Sequence, residues 1–109
     1  MSQVRPVLWA PLFLVYLLLA SVASAAEPIV FVDWSWDSAR VHNRIAGFIV
    51  QHGFGYETDY IFADTVPGMQ GLRRGDIDVS METWTDNFAE LWEEVIASGE
   101  VVDLGPNFP

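Results

Sequence analysis

The chain has 109 residues, which is enough for one small domain. Its 15 Asp and Glu face 5 basic residues, for a formal charge of −10, and this excludes a nucleic-acid binder, which needs a cationic footprint. With no cysteine, disulfides, thiol catalysis, Cys-ligated metals and a lipid-modified cysteine anchor are excluded too.

Met1–Arg5 is a short basic start. Val7–Val22 is almost wholly apolar, and Ala23-Ser24-Ala25-Ala26 supplies the small residues that a signal peptidase requires. Residues 1–26 therefore read as an export signal, cleaved after Ala25 or Ala26. The apolar run is interrupted by Pro11 and is shorter than the about 20 residues that span a bilayer. No stable membrane insertion is expected after cleavage, and the expected location is the periplasm. All the carboxylates and four of the arginines (Arg40, Arg44, Arg73, Arg74) follow the leader, so the mature part is more acidic than the whole. Such a surface suits a solvated protein and weakly favours cationic ligands.

Ile29–Asp33 (IVFVD) predicts a strand buried on both faces. Trp34–Asp37 is a connection. A helix follows with Val41, Ile45, Phe48 and Ile49 on one stripe, capped by Ser35 or Asp37 and stopped by Gly53. Tyr56–Phe62 alternates as a second strand. Thr65–Arg74 is a weaker helix, with Pro67 in its first turn and Gly68 and Gly71 lowering its stability. After the Gly75-Asp76 turn, Ile77–Met81 predicts a third strand. Asn87–Ser98 predicts a helix with Phe88, Leu91, Trp92, Val95 and Ile96 on one stripe, an Asn87/Glu90 cap pair and Gly99 as its stop. Val101–Leu104 predicts a fourth strand. The order βαβαβαβ predicts an α/β fold with a parallel sheet.

Ligands of open α/β sheets bind beyond the carboxyl ends of strands where strand order reverses. With the order 2-1-3, the loops at that crevice are Trp34–Asp37 and Glu82–Asn87, and both carry tryptophan and carboxylate. A quaternary ammonium has no N–H donor, so aromatic faces hold it through cation–π contacts of about 0.5–2 kcal/mol each. Free N–H groups at the helix starts suit the carboxylate of a betaine. Trp36 and Trp84, inside polar loops, are candidate ligand contacts. Trp34 is a weaker one, because it directly follows a buried strand. Asp37, Glu82 and Asp86 are candidate charge partners, although aspartates in the positions of Asp37 and Asp86 are more often helix caps than ligand contacts. Trp92, on an apolar stripe, is expected in the core.

At these residues the chain resembles the substrate-binding components of glycine betaine and choline ABC importers. The resemblance runs from Ile29 to about Leu104 and rests on Val32-Asp33-Trp34-Ser35-Trp36-Asp37-Ser38, Gly55-Tyr56-Glu57, and Gly75-Asp76-Ile77-Asp78-Val79-Ser80-Met81-Glu82-Thr83-Trp84. It implies a periplasmic solute-binding protein with a quaternary ammonium ligand, an ABC transporter permease as partner, no cofactor, and Trp36 and Trp84 as walls of the ammonium cage. It also implies two lobes closing like a hinged trap. Residues 27–109 would be the first part of the amino-terminal lobe, apparently truncated. Two departures stand out. Thr85-Asp86 replaces a residue-plus-proline pair, and Phe88 and Ala89 occupy the region where several betaine binders place a carboxylate-holding histidine.

An enzyme is not expected. His42 and His52 lie on the first helix with no spaced partner, and no nucleophile, phosphate-loop or metal motif is present. Asp76 and Asp78 bracket a turn and strand and are expected to be structural, leaving no metal site. The alternatives are another small organic ion or amino acid on the same fold, or a truncated remnant that binds nothing.

Overall fold

The computed structural model describes residues 26–107. The export signal read at residues 1–26 lies, apart from Ala26, outside the described residues. Strand β1 (Ile29–Asp33) is followed by helix α1 (Asp37–Ile49), which runs into a wider turn at Val50–Phe54. Strand β2 (Thr58–Phe62), helix α2 (Thr65–Arg74), a 3₁₀ turn (Thr85–Phe88) and helix α3 (Ala89–Ala97) complete the order.

The strands β1 and β2 pair in parallel, with Ile29 opposite Thr58 and Asp33 opposite Phe62. The expected third strand is reduced to a single parallel bridge, Phe31 to Val79. Val32 N–H reaches Val79 O at 3.0 Å, but Asp78 and Val79 N–H both go to Val30 O, at 2.8 and 3.0 Å. The Asp78 carboxylate takes the Val30 N–H at 2.8 Å. A side chain thus occupies a donor that a regular ladder would give to main chain, and pairing stops after one bridge. The 2-1-3 arrangement survives, with β1 between β2 and the Val79 segment. The expected fourth strand does not form. Val101–Leu104 has no ladder partner among the described residues, and Val102 and Leu104 are 75% and 95% exposed.

Alternate residues of β1 serve the two sides of the sheet. Val30, Val32 and Trp34 join Met69 and Leu72 of α2, Ile77, and Leu91, Trp92 and Val95 of α3 in the core. Trp92 therefore packs where the apolar stripe of the last helix places it. Phe31 stacks on Tyr60, with ring centroids 5.6 Å apart. Asp33 meets α1, accepting from Asn43 Nδ2 at 2.8 Å and from both terminal nitrogens of Arg44, at 3.1 and 2.7 Å. The Arg44 guanidinium lies 3.7 Å from the Tyr60 ring centre. Burial opposes ionisation of Asp33, but the bonds from Arg44 and Asn43 and the nearby arginine charges outweigh it and hold the carboxyl below its ordinary value.

The inward face of α1 differs from the one expected. Ala39, Asn43 and Gly47 are buried, while Val41, Ile45, Phe48 and Ile49 are all more than half exposed. Small inward residues bring the helix close to the sheet, and the Asn43 bonds to Val32 O (2.7 Å) and Asp33 fix its rotation. The turn Val50–Phe54 carries the chain beyond Gly53, and Gly55 ends it at φ 76°, a conformation suited to glycine. Neither Ser35 nor Asp37 caps α1, and Asn87 caps no helix, since the residues before α1 and α3 are Trp36 and Phe88 without side-chain cap bonds.

Gly68 has a role that propensity alone conceals. A Cβ there would lie 2.7 Å from Trp34 Cη2. The bare backbone of α2 is the surface on which the Trp34 indole lies.

Candidate functional site

The site forms at the carboxyl ends of β1 and the Val79 segment, where the bridge brings two loops together. Trp34 and Trp36 lie two residues apart in the bend between β1 and α1. Their rings stack 5.5 Å apart at an interplanar angle of 10°. Trp84, from the other loop, continues the stack 5.5 Å from Trp36 at 34°. The sequence-expected residues Trp34, Trp36 and Trp84 therefore form one ladder. Trp34 is its buried end, 1% exposed, and Trp84 its open end, 51% exposed. Direct aromatic contact has centroids about 4.5–7 Å apart, so Trp36 and Trp84 touch each other and enclose no ligand-sized gap.

Polar bonds hold the ladder at its edges. Trp34 Nε1 donates to Ser80 Oγ at 3.0 Å, and Ser80 Oγ lies 2.8 Å from Thr83 Oγ1. These bonds fold the chain after Val79 across the end of β1. Trp84 Nε1 donates to Glu82 Oε1 at 2.6 Å, and Ser38 Oγ donates to the same oxygen at 2.8 Å. His42 Nδ1 lies 2.8 Å from Glu82 Oε2. Burial of Glu82 raises the cost of its charge, but the bonds from Trp84 and Ser38, the charge of His42 and the Trp36 indole outweigh this and hold the carboxyl below its ordinary value. The Trp36 contribution is the smallest of these, and its buried Nε1 makes no well-formed hydrogen bond among the described residues. The result is a carboxylate seated against aromatic faces.

Asp37 stands apart from this cluster. It is the first residue of α1, its side chain is 97% exposed, and it lies 3.6 Å from Arg40. Asp86 lies in the 3₁₀ turn, on the surface. His42, which sequence spacing left without a partner, belongs to the site through Glu82, and so does Ser38. Their only sequence signal is their spacing of one helical turn, which places both on one face of α1. Among the described residues, no group of three or more His, Asp or Glu could hold a metal ion. No helix among them is long and apolar enough to cross a membrane.

A family model for the substrate-binding domain of ABC-type glycine betaine transport systems matches residues 27–109. The chain belongs to this family. Its members are substrate-binding proteins and not enzymes, in agreement with the resemblance carried by the two tryptophan loops. The chain is also similar to the trimethylamine N-oxide-binding protein of Pelagibacter ubique (strain HTCC1062), 27% identical over 87 residues. The aligned part is 80% of this chain and 27% of that relative, so the chain spans about a quarter of the relative's length. No solved structure matches.

Proposed function

We propose that this chain supplies a binding site for a compound with a quaternary nitrogen, in a periplasmic solute-binding protein that delivers it to an ABC permease. Glycine betaine, choline and trimethylamine N-oxide share the chemistry, a methylated nitrogen bearing positive charge and no N–H. The supporting observation is the Trp36–Trp84 contact with Glu82 at its edge. Two indole faces and one carboxylate offer such a head group what water cannot, namely polarizable negative surface together with a nearby charge. The family and the trimethylamine N-oxide-binding relative support the same ligand class.

In this reading Trp36 and Trp84 are the contact faces, Trp34 is the floor that fixes Trp36, Glu82 supplies charge, and the remote Asp37 adds only a weak long-range field. The head group enters by parting Trp84 from Trp36. Parting the rings costs about 1 kcal/mol, and two cation–π contacts return about 2 kcal/mol each. The net of about 3 kcal/mol corresponds to a dissociation constant of several millimolar for this chain. The export signal at residues 1–26 would place the protein in the periplasm.

The test is a titration of the mature chain with choline and with its neutral isostere 3,3-dimethylbutan-1-ol, followed by the near-ultraviolet circular dichroism of the stacked indoles. Choline is expected to reduce the exciton signal at millimolar concentration and the isostere to leave it unchanged. An equal response to both would show that charge plays no part and would overturn the reading.

A further inference from the structure

We infer that His42 is a positioning residue of this site, gripping Glu82 together with Ser38 so that the carboxylate holds the Trp84 indole in register with Trp36. The inference rests on the proposed role of those tryptophans and adds to it the group that sets their geometry.

Glu82 Oε1 accepts from Ser38 Oγ at 2.8 Å and from Trp84 Nε1 at 2.6 Å. His42 Nδ1 lies 2.8 Å from Oε2, an ion-pair contact that does not have the geometry of a hydrogen bond. Ser38 and His42 are four residues apart on α1, one turn, and so reach the same side of the helix. Each holds a different oxygen of the same group. Contacts on one oxygen alone would leave the carboxylate free to rotate about its last bond, whereas the Ser38 hydrogen bond on Oε1 and the His42 ion pair on Oε2, both from a rigid helix, fix its plane. With the plane fixed, Oε1 stands where the Trp84 N–H needs it.

Burial makes the grip consequential. The Glu82 side chain is 14% exposed and that of His42 25% exposed, so water does not readily replace a lost donor. Trp84, by contrast, is 51% exposed and extends from a 3₁₀ turn, with no core packing to orient it. Its orientation therefore depends on the Trp36 face and on Glu82. Helix α1 is itself tied to β1 by Asn43 and Arg44 on the turn after His42. The chain of support runs from the sheet, through α1, through His42 and Glu82, to the outermost ring of the ladder.

The test is read without ligand. Indole N–H resonances of the full mature chain are recorded by ¹⁵N NMR for the wild type, His42→Ala and His42→Asn, together with the hydrogen exchange of the Trp84 Nε1–H. In His42→Ala the Trp84 resonance is expected to move upfield and its protection to fall up to about tenfold, through the loss of one short, partly buried ion pair. The Asn amide nitrogen occupies roughly the place of Nδ1 without its charge, so His42→Asn is expected to restore both in part. The backbone amides of Val32 and Val79 report whether the sheet remains intact in each variant. Unchanged Trp84 protection in His42→Ala with an intact sheet overturns the inference. Loss in both variants equally, again with an intact sheet, also overturns it, because a polar group held at that place would then not be the cause. Should choline fail to bind while the Trp84 response appears, the ligand reading falls and the positioning role stands. Should choline bind and the response be absent, the reverse holds.

Discussion

Replacing Gly68 by alanine sets two physical effects against each other. In the interior of α2, Gly→Ala is worth about 1 kcal/mol in favour of the helix. The new Cβ, however, would lie 2.7 Å from Trp34 Cη2 and 3.3 Å from Ala63 Cβ. Carbon atoms in good contact stand about 3.5–4.0 Å apart, so the indole or the helix must move by roughly 1 Å. The indole has little freedom to do so, because Trp34 is 1% exposed, bonded to Ser80 Oγ at 3.0 Å and stacked on Trp36 at 5.5 Å. Overpacking of this kind costs about 1–3 kcal/mol. The net expectation is a loss of about 1–2 kcal/mol, together with a weaker indole exciton signal as the ladder shifts. Urea denaturation of the two proteins, followed by far-ultraviolet circular dichroism, measures the first effect. Gly53→Ala is the control, since its Cβ would meet only Ile49 Cγ2 at 3.9 Å, and it is expected to be neutral or slightly stabilising. A Gly68→Ala protein as stable as the wild type, or more so, would refute the close-packing argument and leave helix propensity as the ruling effect.

Asn43→Ala removes bonds to Val32 O and Asp33 from a fully buried site and is expected to cost about 3 kcal/mol in the same urea assay. Ile45→Glu, at a position 56% exposed, is expected to change stability by no more than about 0.5 kcal/mol, and a large loss there would mean that the face is covered in solution. Acid is expected to destabilise the fold and the site together. Glu82 and Asp33 are both held below their ordinary values of 4.5 and 3.8. Each therefore contributes stability that is complete above that value and is lost as pH falls through the lower folded one. Thermal unfolding between pH 6 and pH 2 checks this, and a melting temperature that stays level across that range would contradict it.

The elements legible in the sequence are those specified by local pattern. The apolar run at Ile29–Asp33, the last-helix stripe that includes Val95 and the turn at Gly75-Asp76 all correspond to observed features. The neighbourhood of Trp36 and Trp84 was legible as well, because strand order alone brings the two loops together. What escaped depends on contacts distant in sequence or on competition between groups. The Asp78 side chain takes the Val30 N–H and ends the third strand after one bridge, which no β-propensity records. The apolar period of α1 pointed to Val41, Ile45 and Phe48, but a buried Asn43 flanked by small Ala39 and Gly47 decided which face meets the sheet. His42 had no partner within local spacing because its partner is Glu82, on the opposite loop. Gly68 read as a weak helix position, and its function becomes visible only with Trp34 against it.

The most direct test of the central claim, that Trp36 and Trp84 hold a quaternary ammonium, is an NMR titration of the mature chain with tetramethylammonium chloride at constant ionic strength. The indole resonances of Trp36 and Trp84 are expected to shift together and saturate in the millimolar range, Trp92 to stay still, and Trp84→Ala to weaken binding about tenfold. Shifts that persist unchanged in Trp84→Ala, or that centre on Trp92, would contradict it.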